Sequence, residues 1–365
     1  MSTGIISGDS HIIEPMDLWS KAMGAKFGDK TPRIINQYQG REGAFFFTGP
    51  GGQVQTLPKL ARDVESAADD DALKDVGWNP DSRLKYQHQM GIRAEIMNPT
   101  YQLAIFGAKD RDVVRAAAMA YNDWADEFAG TDPSRLLGVG VIPPEDPQWA
   151  AGEVVRISKK GLRGAIIPLE APVGFPPYRD RVYDPLWAAA EETGLTFTQH
   201  IVAGNTPHPL HAADQTEAPG RMMYIFYEIM QPLANDFIFG KIFDRFPGLR
   251  LIHSEFEISW IPSFMTRLDE MQDFAKRLPK LESLNHRASD YIRQHVYHGV
   301  IADPYAADAI KHIGADHVLW GTDFPHAHSI GLEMHETAKR LFGGLSEDEK
   351  DLVMGDTAAN LYHLN

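Results

Sequence analysis

Eight short apolar runs, most of them joined by stretches with the apolar spacing of a helix, constrain the fold of this chain more than any other feature. The apolar runs cover residues 4–9, 93–98, 136–142, 163–169, 195–200, 249–253, 295–299 and 317–323. The helical spacing covers residues 111–129, 147–160, 183–193, 222–246, 259–278 and 304–313. Strands that alternate with helices pair in parallel, because each helix returns the chain to the start of the next strand. The pattern predicts an α/β protein with a (β/α)8 TIM barrel, and a doubly wound open sheet is the alternative.

Two segments lie outside this alternation. Residues 15–79 follow the first strand and contain two extended runs, 33–38 and 44–48, on either side of a QGREG turn. This pattern predicts a small antiparallel hairpin insertion. Residues 346–362 begin with a serine and carry a glutamate three residues later, which is typical of a capped helix. We expect residues 1–365 to form a single barrel domain with these two additions.

The composition excludes several classes of protein. The chain has no cysteine, which rules out a disulfide framework, a thiol nucleophile and a cysteine metal site. Lys and Arg number 35 and Asp and Glu number 50, so the net charge is −15 and neither nucleic acid nor an anionic membrane is an expected partner. The first residues do not resemble a signal peptide, and no apolar run is long enough to cross a membrane. A cytoplasmic location is expected.

Polar side chains follow four of the predicted strands at the point where each strand ends. The first strand ends in Asp9-Ser10-His11, the fifth in His200, the sixth in His253 and the eighth in Asp323. Side chains two residues apart on a strand point to the same side, so Asp9 and His11 can bind one ion. The carboxyl ends of barrel strands surround a common mouth. Imidazole and carboxylate ligands at this mouth predict a site for Zn²⁺, Mn²⁺ or Fe²⁺.

Three segments carry a family resemblance, namely GDSHIIEPMDLW, HSEFEISWIPSFMTRLDE and WGTDFPHAHS. In this order they resemble the motifs of the amidohydrolase superfamily. Within it they are most similar to the amidohydrolase-related branch that contains aminocarboxymuconate-semialdehyde decarboxylase, γ-resorcylate decarboxylase and 5-carboxyvanillate decarboxylase. The resemblance implies one divalent ion, Zn or Mn with Fe as a further option, bound by Asp9, His11, His200 and Asp323. It also implies that Asp323 and His253 act as the catalytic acid and base, although His253 could instead bind the ion.

Five further residues are candidates for support of the site or for contact with the substrate. Glu255 would orient the imidazole of His253, and His298, at the end of the seventh strand, would face the same mouth. Glu14 follows His11 by three residues, and a role as a helix cap or ion-pair partner is an equally good interpretation. The remaining two candidates are Glu170 and His326.

A second ion is the less favoured interpretation. The fourth strand ends without the lysine that bridges two metals in the dinuclear members of the superfamily. Glu170, His326 and His328 could together hold a second ion, but exposed loop histidines are the simpler explanation. A dinuclear Fe or Mn site would point to an oxygen-dependent enzyme.

Two reactions would use the same residues. One is non-oxidative decarboxylation of an aromatic or unsaturated carboxylic acid, in which Asp323 or His253 delivers a proton to the carbon that loses CO₂. The other is hydrolysis of a C–N, C–O or activated C–C bond by water that the ion acidifies. The resemblance favours the decarboxylase, with a small carboxylic acid as substrate. A non-catalytic partner subunit is a third alternative, and the resemblance is compatible with a homodimer or a homotetramer.

Overall fold

Eleven strands form two sheets in the part of the chain that the structure describes. The computed structural model describes residues 4–52, 54–57, 75–204, 223–277, 283–326, 329–330 and 333–364. The strands are β1 (Ile5–His11), β2 (Arg33–Tyr38), β3 (Arg41–Phe47), β4 (Val54–Thr56), β5 (Ile92–Asn98), β6 (Leu136–Val141), β7 (Gly164–Ile166), β8 (Thr196–His200), β9 (Leu251–Ser254), β10 (Val296–Val300) and β11 (Val318–Trp320). Strands β1 and β5 to β11 lie side by side in chain order, and all their pairings are parallel. The predicted (β/α)8 barrel is confirmed.

The barrel closes where the segment after β11 meets β1. Ser10 bridges Phe324 in parallel, and the backbone N–H of His11 donates to the carbonyl of Phe324 at 2.8 Å. On the same seam the N–H groups of Thr322 and Asp323 donate to the carbonyl of Asp9 at 3.0 and 2.9 Å. The first and last polar strand ends of the sequence therefore lie side by side.

Helices cover the outside of the barrel. They span Leu18–Phe27, Pro80–Met90, Arg111–Ala129, Pro147–Lys160, Asp184–Thr193, Met230–Pro232, Ile242–Arg245, Ile261–Ala275, Asp290–His295, Ala306–Ile313, Met334–Phe342, Glu347–Asp351 and Thr357–Tyr362. Asn79, Asp110 and Asp146 cap three of these helices by accepting backbone N–H bonds, as expected for such residues at a helix start. The helices pack on outward side chains of the strands, for example Trp187 on Phe197 with ring centroids 5.8 Å apart.

The helix predicted over residues 222–246 is wrong as a single element. Within the described part of this range there are a 3₁₀ turn (Tyr224–Tyr227), a helical turn (Met230–Pro232), a π-helical segment (Leu233–Ile238) and a short helix (Ile242–Arg245). Lys241 has a left-handed φ of 64°, which interrupts the right-handed helical backbone before the short helix. This position prevents one continuous helix.

The insertion after β1 is a three-stranded antiparallel sheet in the order β2-β3-β4. The predicted hairpin is its first two strands, and helix Leu18–Phe27 precedes it. Near the other end of the chain, the Ser346 hydroxyl accepts the backbone N–H of Glu349, and that glutamate accepts the N–H of Ser346 in return. A helical segment with a π-turn at Leu352–Asp356 follows and ends at Tyr362. In the described residues we find no helix with the length and apolarity needed to span a membrane.

Candidate metal centre

The end of β1 places Asp9 and His11 on the inner side of the barrel mouth. Both side chains are fully buried, and Asp9 Oδ1 lies 3.6 Å from His11 Nε2. The Asn98 amide, at the end of β5, donates to Asp9 Oδ1 at 2.8 Å and fixes the carboxylate. The pairing of β1 with β5 is irregular between Ser7 and Ser10, which sets the direction of these last residues.

His200 and Asp323 complete the cluster from β8 and from the segment after β11. Asp9 Oδ1 lies 3.7 Å from His200 Nε2, and His11 Nε2 lies 3.4 Å from Asp323 Oδ1. Ligand atoms that bind one ion at about 2.1 Å with tetrahedral angles lie roughly 3.4 Å from each other, so these spacings fit a shared divalent ion. Asp323 has a left-handed φ of 53°, a conformation that is uncommon for a non-glycine residue and concentrated at functional sites. Asp9, His11 and His200 therefore form one group of possible ligands, and Asp323 lies next to this group through its contact with His11.

The hydrogen bonds of the cluster leave two imidazole nitrogens and one carboxylate oxygen without partners. His11 Nδ1 donates to the carbonyl of Pro99 at 2.8 Å, and His200 Nδ1 donates to the carbonyl of Ile201 at 2.8 Å. A carbonyl can only accept, so each Nδ1 carries the proton and each Nε2 presents a lone pair. These Nε2 atoms and Asp9 Oδ2 are buried and find no hydrogen-bond partner in the described part of the chain. Buried polar atoms without partners are costly, and a divalent ion would satisfy all three.

The pKa shifts of the buried groups at the centre also favour a bound cation. Burial opposes a charge on His200, but the nearby carboxylates of Asp9 and Glu255 outweigh burial and raise its pKa to about 9. Burial lowers the pKa of His11 well below its ordinary value, and the neighbouring His326 and His200 add to this effect. Burial also raises the pKa of Glu255 well above its usual range, with the charge of Asp323 as the next cause. Several carboxyl groups share a small buried volume that a cation would stabilise.

His326 is part of the centre rather than an exposed loop residue. Its Nδ1 lies 2.8 Å from Asp323 Oδ1, and its Nε2 lies 3.2 Å from Thr100 Oγ1. Its ring centroid lies 4.0 Å from that of His11, with the two ring planes inclined at 34°. His11, Asp323 and His326 form a second possible ligand group next to that of Asp9, His11 and His200. His328, considered for the same role, lies outside the described residues.

His253 is not at the mouth, which corrects the prediction for the sixth barrel strand. In the β8–β9 pairing Phe197 is level with Leu251, and His253 follows Leu251 by two residues. Phe197 packs outward on Trp187, so alternation places His253 on the outer face of the barrel. Burial alone lowers its pKa to about 3, with no contribution from the carboxylates of the centre.

Glu255 is the titratable residue that enters the centre from β9. Its Oε2 lies 3.5 Å from His200 Nδ1, so its carboxylate lies beside His200, whereas the sequence analysis predicted a contact with His253. A left-handed φ of 66° turns the backbone just after the strand and directs this side chain into the mouth. About a fifth of the side chain (21%) is exposed, so a substrate can contact it.

The three remaining candidates lie apart from the ligand cluster. His298 is level with His253 on β10, and the two rings are 5.5 Å apart on the outer face, so His298 does not face the mouth as predicted. Glu14 accepts the backbone N–H groups of residues 100, 101 and 102 at the start of the helical turn Gln102–Gly107, which matches the cap interpretation. Glu170 is exposed and belongs to neither ligand group found in the described residues.

Comparison with known proteins gives the class to which this fold and centre belong. The family model described as amidohydrolase matches residues 65–364, so the chain belongs to the amidohydrolase family. A curated relative, the γ-resorcylate decarboxylase of Polaromonas sp. (strain JS666), is 25% identical over 299 residues, which cover 78% of this chain and 87% of that protein.

Two solved structures share the fold. An amidohydrolase from Mycobacterium avium subsp. paratuberculosis K-10 superposes with a TM-score of 0.80 at 20% identity and covers 99% of this chain and 100% of its own. A dihydroxybenzoic acid decarboxylase from Polaromonas sp. JS666, solved with bound manganese and the inhibitor 2-nitroresorcinol, has a TM-score of 0.69 at 21% identity. That superposition covers 100% of this chain and 98% of the decarboxylase.

Proposed function

We propose that this protein is a metal-dependent, non-oxidative decarboxylase of a small aromatic carboxylic acid. A single Mn²⁺ or Zn²⁺ would be bound by Asp9, His11, His200 and Asp323. The proposal is carried by one observation, the convergence of unpartnered buried donor atoms from β1 and β8 beside Asp323. The curated relatives named γ-resorcylate decarboxylase support the choice of reaction.

Decarboxylation makes two demands on the residues around the ion. The bond between the ring carbon and the carboxylate breaks, CO₂ leaves, and the electron pair stays on the carbon until a proton is added. When bound, the ion supplies positive charge that orients the carboxylate and a neighbouring oxygen of the substrate. The chain must therefore hold the aromatic acid and deliver one proton.

Asp323 and Glu255 are the groups placed to deliver that proton. Asp323 is 3% exposed at the side chain, and its Oδ1 lies 2.8 Å from His326 Nδ1, which holds the carboxyl in place. Glu255 borders the same space, and burial raises its pKa well above the usual range, a direction that suits a proton donor. Glu255 thereby takes the acid–base role that the sequence assigned to His253.

The first test combines metal content with product analysis. Protein purified without added metal or a metal-binding tag is analysed for metal by elemental mass spectrometry. It is then incubated in D₂O with 2,6-dihydroxybenzoate, 5-carboxyvanillate, an aryl amide and a lactone. We expect about one Mn or Zn per chain, CO₂ release from an aromatic acid, and one deuterium in the product. Amide or lactone cleavage without CO₂ would support the hydrolase instead, and two ions including iron would point to oxygen chemistry.

Variants assign the roles of the residues. His11→Ala and His200→Ala each remove a ligand and should lose most of the metal together with activity. Glu255→Gln should retain the metal and slow turnover about a hundredfold or more, as expected for loss of an acid–base group. His253→Asn, two residues earlier on β9, is the matched control and should retain both metal and rate. Full metal content in both alanine variants would refute the site.

A further inference from the structure

Arg83 is completely buried, although it lies outside the ligand cluster. Its guanidinium binds the carboxylate of Glu95 on β5 in a bidentate pair, Nε to Oε2 at 2.6 Å and Nη2 to Oε1 at 2.9 Å. The remaining donors reach two backbone carbonyls, Nη1 to that of His11 at 3.2 Å and Nη2 to that of Phe324 at 3.1 Å. Every nitrogen of the group is therefore used.

The two carbonyls lie on either side of the barrel seam. One belongs to the ligand His11, and the other belongs to the residue directly after the ligand Asp323. Glu95 extends the network, because it also accepts the Ser10 hydroxyl at 2.9 Å from the strand that carries His11. The seam beneath the metal centre is thus tied to a single ion pair on the outer face of the barrel.

Stability alone is a weak explanation for this pair. Burying two charges costs desolvation that the attraction between them often only offsets, and apolar replacements of similar size are frequently neutral. The planar guanidinium instead fixes the directions of its hydrogen bonds, which the flexible ammonium of a lysine cannot do. The pair therefore suits a role in geometry.

We propose that the Arg83–Glu95 pair positions the ligands of the metal centre by fixing the separation between β1 and the segment that carries Asp323. This inference rests on the metal centre proposed above. Among the described residues, the hydrogen bonds of Arg83 reach Glu95 and the backbone carbonyls of His11 and Phe324, so its contact with the centre is through the backbone. Loss of the Arg83–Glu95 pair should let the distances between the ligands vary and should therefore weaken metal binding, while the barrel remains folded.

The test measures metal affinity against fold stability. Metal-free wild type, Arg83→Lys and the double variant Arg83→Met with Glu95→Leu are titrated with Mn²⁺ by calorimetry and unfolded in urea. Arg135→Lys is the matched control, because Arg135 also donates to strand carbonyls, those of Ile92 and Arg93, but at the start of β5, which is the end away from the barrel mouth. We expect a ten- to hundredfold rise in the Kd for Mn²⁺ in both Arg83 variants and less than a twofold change in Arg135→Lys.

The outcomes separate this inference from the proposed function. Arg83 variants that fold and bind Mn²⁺ within twofold of wild type would overturn the positioning role. If Arg83→Lys does not fold, the double variant decides, because it leaves no unpaired charge. An equal loss of affinity in Arg135→Lys would also overturn it, since a general effect on the barrel would then be responsible. Wild type that binds no Mn²⁺ would refute the metal centre itself.

Discussion

Replacement of His253 by leucine should stabilise the protein without loss of metal or activity. Both imidazole nitrogens are buried and have no hydrogen-bond partner among the residues that the structure describes. An unsatisfied buried polar group costs about 1 to 3 kcal/mol, so an apolar side chain of similar size should recover energy of this order at pH 7.5. The gain should grow in acid, because burial lowers the pKa of His253 from 6.5 to about 3.

The sign follows from proton binding in the two states. Below pH 6.5 the unfolded chain binds a proton at His253 that the folded protein does not bind, so wild type loses stability as the pH falls toward 3. One pH unit corresponds to about 1.4 kcal/mol, so leucine should recover about 2 kcal/mol more at pH 5 than at pH 7.5.

The assay is urea unfolding at both pH values, with metal content and CO₂ release measured on the same samples. His88→Leu is the control, because this histidine is exposed on helix Pro80–Met90 and loses little contact with water on folding. A folded His253→Leu variant that loses its metal, or slows more than tenfold, would refute the outward orientation. A variant less stable than wild type at pH 5 would refute the argument from unpartnered burial.

Three further predictions concern other parts of the molecule. Gly321→Ala would place a methyl group 2.5 Å from the Cβ of Asp9, so it should destabilise the fold by about 1 to 3 kcal/mol and raise the Kd for Mn²⁺, as measured by urea unfolding and calorimetry. Burial raises the pKa of Glu14 to about 7, so wild type should lose up to about 3 kcal/mol as the pH rises from 4.5 to 7, and urea unfolding of Glu14→Gln across this range should lack that loss. Ser346→Ala removes a helix cap and should cost about 1 kcal/mol of unfolding free energy, with metal affinity unchanged.

The barrel was predictable because each strand is a short apolar run and the turns between elements are marked by glycine and proline. The pair of Asp9 and His11 was predictable for a local reason. Side chains two residues apart on a strand point to the same side of the sheet. Strand-end position placed His200, His253 and Asp323 alike at one edge of the parallel sheet, and only the family resemblance implied that His200 and Asp323 bind the ion.

The orientation of His253 was not predictable in the same way. All four residues of β9 are buried, so the strand shows no alternation of polar and apolar positions from which its inner face could be read. Its orientation depends on the register with β8, a contact between segments far apart in the sequence. The position of Glu255 was harder still to predict, because this residue lies just beyond the strand end and its own left-handed φ redirects its side chain.

The role of Asn98 was missed, although it also ends a strand and its amide holds Asp9. An uncharged residue carries no signal of metal binding in the sequence, so only the position at the end of β5 could have pointed to it. Arg83 and Glu95 were missed because a helical arginine and a strand glutamate in isolation are ordinary surface residues. Their partnership depends on the packing of the helix on the barrel.

The seam between β1 and the segment after β11 joins residues that are synthesised far apart in time. Ser7 and Thr322, whose hydroxyls lie 3.2 Å apart across this seam, are 315 positions apart in the chain. Contacts of such long range form late, because the entropy of the intervening chain must first be lost. A chain synthesised only as far as β10 would therefore carry Asp9 and His11 without Asp323, so the proposed metal centre would be complete only after the segment that follows β11 has been added.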